Sequence, residues 1–213
     1  MTNFRKKNIC LISVLVFTVL LIGCNKNSSL AGIPDFKQEN AIMVGADLSV
    51  TATLVEPFSE YYYKEDELFR MASEEASAFN RKNGDGSLIA EKVEVNEGLA
   101  NVVFKFSGRE SYTAYNEAVL FIGTVEAALN SGLKLEQTLY DISNRSKMID
   151  KDVLAEMKDT YILITNEHQE KGPLTVETFG KILYVSDGIE KWHGQSSVRV
   201  DNVSDDLIYI LFK

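Results

Sequence analysis

Both cysteines of this 213-residue chain, Cys10 and Cys24, lie close to its N-terminus. Whatever folds beyond them has no disulfide, no cysteine nucleophile and no thiolate metal site, so an apolar core must hold it together. The segment around them reads as an export signal. Arg5, Lys6 and Lys7 form a positive n-region, and Ile9 to Ile22 form an apolar run. That run, roughly fourteen residues, is short for a helix spanning a bilayer. Polar residues follow at once, as expected after a cleaved signal at 1–23 rather than a retained membrane helix.

Leu21, Ile22, Gly23 and Cys24 resemble the lipobox of bacterial lipoproteins. The resemblance implies a diacylglyceryl group on the Cys24 thiol, cleavage just before that residue, and fatty acids such as palmitate as the anchor. Each buried methylene contributes about 0.8 kcal/mol, so two or more chains hold where one would exchange. The implied partner is therefore the membrane, reached through the lipid on Cys24, at the extracytoplasmic face of the cell membrane. Residues 24–40 are polar, rich in small residues and carry Pro34, which predicts a flexible tether. Residues 41–213 are expected to be one extracytoplasmic domain.

About 190 residues remain after cleavage, enough for a single self-supporting core. Apolar content of 45% and charged content of 25% are ordinary for a globular protein. Loss of the three basic signal residues moves the net charge from −9 to about −12, which repels phosphate backbones. With no basic, aromatic-laced cluster to override it, nucleic acid is excluded as a partner. The acidic surface keeps the domain soluble and attracts cations or basic peptides.

Along the domain, Leu48, Val50, Ala52 and Leu54 alternate with Ser49, Thr51 and Thr53, predicting one half-buried strand within Ile42–Val55 that Pro57 stops. Residues 64–82 predict the main helix. Its stripe is Leu68, Ala72, Ala76 and Phe79, helped by Phe69, and Asn83-Gly84 ends it. A hairpin follows over Ser87–Val95 and Leu99–Phe106, with Ile89, Val93 and Val95 inward on its first strand. Ser107-Gly108-Arg109-Glu110 reads as a capping box opening a short helix. Val119–Ile122 reads as a buried strand, and Thr124 and Asp150 as starts of further helices. Strands are expected at Tyr161–Thr165, Thr175–Thr178, Lys181–Ser186, Ser197–Asp201 and Leu207–Phe212. The predicted class is α+β: a strand–helix–hairpin front half, then a small antiparallel meander, with helices packed on one side.

The stretches YYYKEDELFRMASEEASAFN, AYNEAVLFIGTVEAAL and LIYILFK, together with the lipobox, resemble an uncharacterised group of small surface lipoproteins from anaerobic Gram-positive bacteria. The resemblance implies the address and fold, and brings no motif diagnostic of chemistry.

No catalytic signature stands out in the residues. His168 and His193 are the only histidines and do not share HExxH spacing. The Asn80–Glu91 segment fails the EF-hand pattern, with Lys82 and Asp85 where an acid and a glycine belong. Asp201, Asn202, Asp205 and Asp206 read as turn material rather than a calcium site. Ser186-Asp187-Gly188 near His193 suits a tight turn better than a triad, and no nucleophile elbow, P-loop or dinucleotide fingerprint occurs. No metal or cofactor is therefore expected. Glu190–Gly194 reads as a loop in which Trp192 is exposed and available to a ligand. Tyr62, within Tyr61-Tyr62-Tyr63, is the second candidate, the alternative being that these rings cover the core at the helix entrance.

The leading reading is a lipid-anchored surface lipoprotein with a non-catalytic binding domain for an envelope protein or extracellular ligand. Two others stay open. One is a glycan hydrolase using paired carboxylates; the other is an accessory subunit of a membrane complex.

Overall fold

The computed structural model describes residues 39–58, 64–169 and 173–213. The expected signal, Cys24, most of the tether, and Tyr62 with its neighbours lie outside the described residues. In order the elements are β1 (Asn40–Val44), β2 (Val50–Pro57), α1 (Glu65–Asn83), β3 (Leu88–Asn96) and β4 (Leu99–Phe106). Then come α2 (Arg109–Asn116), β5 (Leu120–Thr124), α3 (Val125–Asn130), β6 (Leu139–Asp141), β7 (Met148–Ile149) and α4 (Lys151–Glu156). The chain closes with β8 (Tyr161–Thr165), β9 (Leu174–Glu177), β10 (Ile182–Val185), β11 (Ile189–Lys191), β12 (Ser197–Val200) and β13 (Ile208–Phe212).

The fold is α+β, with two sheets. The larger has strand order β11-β12-β9-β1-β2-β4-β3, and the smaller β5-β8-β13-β10-β6-β7. The expected meander is thus divided: β9, β11 and β12 join the N-terminal strands, and the other late strands build the second sheet. Alternation explains how the sheets pack. Leu163, Ile208, Ile210 and Phe212 enter one core with Ile42, Val176 and Val198 of the larger sheet. Their neighbours Ile162, Ile164, Tyr209 and Leu211 enter a second core with Val125, Ala128 and Leu154. Strands such as IYILF are apolar at every position because both their faces are buried. The helices are not on one side: α1 packs in the first core through Ala72 and Ala76, while α3 and α4 cover the far face of the smaller sheet.

Several local expectations change. The single strand expected over Ile42–Val55 is a hairpin. Asp47 Oδ1 accepts from the Ser49 N–H at 3.0 Å and from its hydroxyl at 2.6 Å. The Gly45 N–H also donates to the Ser49 carbonyl at 2.9 Å. A Cβ on Gly45 would lie 2.7 Å from that Asp47 oxygen, so a side chain there would push the carboxylate off its bonds to Ser49. The capping box does not form: Gly108 is the N-cap, and Ser107 Oγ instead meets Ser111 Oγ at 2.8 Å. Thr124 and Asp150 do cap α3 and α4, accepting from Ala127 N–H and from Asp152 and Val153 N–H. Phe69 faces out, 39% exposed.

The hairpin of β3 and β4 turns through Glu97 and Gly98, both at positive φ, as a two-residue loop prefers. Its register slips between Ala90 and Lys92. The extra residue, Glu91, moves Leu88 to the buried face and leaves Ile89 49% exposed, contrary to simple alternation. Leu88→Ala is therefore expected to cost about 2–5 kcal/mol, whereas Ile89→Ala costs under about 1 kcal/mol. Urea unfolding of the two variants checks the bulge, and equal losses would contradict it.

Candidate functional site

The larger sheet sends Val176, Val198 and Val200 into the core. Period-two alternation then puts Thr175, Glu177, Ser197 and Arg199 on its outer face, on which no described helix packs. Glu190 and Lys191, expected within a loop, belong with Ile189 to the edge strand β11, paired antiparallel with β12. The pairing continues one residue further, since the Trp192 N–H donates to the Ser197 carbonyl at 3.0 Å. Ser197 is in turn directly opposite Glu177 across the β12–β9 ladder. Trp192, Ser197 and Glu177 therefore form one row on the outer face.

Trp192 is 40% exposed, as its polar sequence surroundings predicted. The guanidinium carbon of Arg199 lies 5.3 Å from its ring centroid, and the His193 ring approaches edge-on at 4.9 Å. Arg199 is fixed from its other side. Its Nε meets Glu39 Oε2 at 3.0 Å, its NH2 meets Glu39 Oε1 at 2.9 Å, and Asp201 follows at 3.4 Å. The Glu39 carboxylate accordingly holds Arg199 above its usual range. Such a forked pair orients the guanidinium plane.

Two polar atoms in this row lack a hydrogen-bond partner: Glu177 Oε2 and Ser197 Oγ. Ser197 is only 2% exposed. A buried polar group left unsatisfied costs about 1–3 kcal/mol, which makes the pair a strained feature of an otherwise well-paired sheet. Burial pushes the Glu177 carboxyl up, with His193 pulling it the other way. The titratable group that acts on Glu177 is thus a histidine.

A second concavity, a cleft of about 440 Å³, opens between the β1–β2 turn and the starts of α2 and α3. Leu48, Gly108, Arg109, Gly123, Thr124 and Tyr161 line it. Arg109 stands over the Phe121 ring at 4.5 Å, donates to the Ile122 carbonyl at 3.2 Å and pairs with Glu110 at 2.8 Å. Its charge is spent on its own neighbours, which leaves the cleft without a dominant ligand-recognising group. Alternation and motif reading missed this cleft, because Ser107–Glu110 was legible only as a helix start.

Other polar residues are structural. Ser186 Oγ donates to Gln137 Oε1 at 2.7 Å and accepts from the Tyr209 N–H at 2.8 Å, so it braces a turn and is no nucleophile. His168 is 9% exposed and its Nε2 lies 2.9 Å from the Asp205 carbonyl. Burial, with Glu167 alongside, drives the Tyr112 hydroxyl far above its usual range. Among the described residues, no three His, Cys, Asp or Glu side chains converge to hold a metal ion, and no helix is long and apolar enough to cross a membrane.

The Glu177 environment makes stability pH-dependent. Its folded-state pKa is raised, so its contribution is fully present below the ordinary carboxylate range and is lost as pH rises through the raised value. Glu177→Gln should leave the melting midpoint near wild type at pH about 3 and raise it at pH about 7. Midpoints recorded across that range test this, and a variant that is less stable at neutral pH contradicts it. Set against known protein families, curated proteins and solved structures, the chain matches none of them.

Proposed function

We propose that this protein is a surface lipoprotein, anchored through lipid on Cys24, whose domain is a non-catalytic binding module at the extracytoplasmic face. The observation that carries the binding reading is the Trp192 corner. A 40%-exposed indole stands at the edge of a sheet face on which no described helix packs, beside a fixed guanidinium and two polar atoms without partners. Large aromatic planes supply contact area at low entropic cost and dominate binding surfaces. The anchoring reading rests on the n-region, the apolar run and Gly23-Cys24. From Cys24 to the first strand at Asn40 an extended chain reaches about 3.3–3.6 Å per residue, roughly 50 Å in all. That reach lets the domain meet large envelope ligands while the lipid stays in its membrane.

Cells fed labelled palmitate should incorporate it into the wild-type chain and not into Cys24→Ser, which should instead leave the membrane fraction. A photo-crosslinking residue at position 192 should trap a discrete envelope component, whereas one at the exposed Met148 on the smaller sheet should not. Equal trapping at both positions would overturn the assignment of the binding face. Turnover of a purified substrate, abolished by Glu177→Gln, would overturn the non-catalytic reading.

A further inference from the structure

We propose that the Trp192 row is a subsite for one pyranose ring of a neutral glycan, with the indole as platform and Glu177 and Ser197 as hydroxyl-binding groups. The proposal rests on the binding reading above and deepens it by naming a ligand class.

Three observations select that class. The first is the pair of partnerless atoms. Ser197 lies between Trp192 and Glu177 in the row, almost wholly buried, with its Oγ unpartnered and Glu177 Oε2 unpartnered beside it. An ionised carboxylate only accepts, while a serine hydroxyl both donates and accepts. Together they fit adjacent hydroxyls of a sugar, one donating to the carboxylate and the other exchanging a hydrogen bond with the serine hydroxyl. The Glu177 side chain as a whole is only partly buried, and the last torsion of a glutamate is broad and roughly two-fold. Its withdrawn oxygen can thus turn outward without movement of the strand.

The second is the charge around the indole. Arg199 is committed to Glu39 and Asp201, and Glu190 and Glu177 add further negative charge on the same face. Among the described residues no Lys or Arg beside the indole is left over for a phosphate, sulfate or uronate, and His193 faces the Glu177 carboxylate, so an anionic ligand is disfavoured. The third is that the ring already carries a cation, Arg199, at 5.3 Å. An ammonium ligand would have to compete with it for the same π-system. What remains is a ligand that is neutral, rich in hydroxyls, and has an apolar face to lay on an aromatic ring.

Trp192 is the only tryptophan in the chain, so emission from the intact, solubilised protein reads this site directly. The probes are hexasaccharides of β-1,4-linked glucose, mannose, xylose and N-acetylglucosamine, with oligogalacturonate and tetramethylammonium as charged controls. At least one neutral hexasaccharide should change the emission saturably, and neither control should. Glu177→Gln and Ser197→Ala should each weaken that binding about tenfold. Trp192→Ala should abolish it and Trp192→Phe retain part of it, both read by calorimetry. No saturable response to any neutral sugar up to about 10 mM, a range that reaches weak single-ring sites, overturns the proposal. So does a response that Glu177→Gln and Ser197→Ala leave unchanged. Failure here with specific crosslinking at position 192 removes the sugar and keeps the binding module; failure of both removes the two readings together.

Discussion

The parallel pairing of β1 with β9 brings the first described strand against a segment far along the chain, Asn40 opposite Leu174 and Met43 opposite Glu177. It is flanked by antiparallel pairs, β1 with β2 and β12 with β9, so one continuous seven-stranded sheet forms from the two ends of the sequence. The Trp192 corner depends on this contact. Glu39, the first described residue, can reach Arg199, 160 positions further along the chain, only because β1 lies beside β9 and β12. Without it Arg199 would lose its forked partner and keep only the longer contact with Asp201 to hold its plane over the indole.

The second sheet works differently. Its central strands β8 and β13 are buried on both faces, and each residue points into one of two cores. Burying both faces removes apolar area that a half-exposed strand would leave in water, at about 25 cal/mol per Å². Around Phe106 the first core is aromatic, with Tyr112 at 5.1 Å and Tyr115 at 5.5 Å between ring centroids. With no cysteine in the described residues, this packing has to supply the stability that disulfides give many exported domains.

That division gives the domain a plain physical logic. Ser197 Oγ and Glu177 Oε2 sit where a fully satisfied sheet would place paired or solvated atoms, and they are neither. Strain of this kind persists when the surrounding structure over-determines it, and it concentrates where a ligand completes the missing contacts. The cleft by Arg109 shows the contrast: its guanidinium is already bonded to neighbouring groups of the protein.

Much was legible in the residues themselves. Period 3.6 marked α1, the Thr124 and Asp150 caps marked α3 and α4, and alternation or continuous apolarity marked β4, β8 and β13, because these signals are local. The exposure of Trp192 was legible too, from the polar residues around it. Local signals failed where one residue decides the phase: the Glu91 bulge reversed Ile89, and the Asp47 turn split an unbroken alternation into two strands. They also failed wherever the determinant was distant in sequence. Which strands share a sheet, which face of β12 turns away from the core, and that Ser197, Glu177 and Arg199 meet at Trp192 were decided only in three dimensions. Strand pairing is set by the summed burial of whole faces, a property that no short window of the sequence contains.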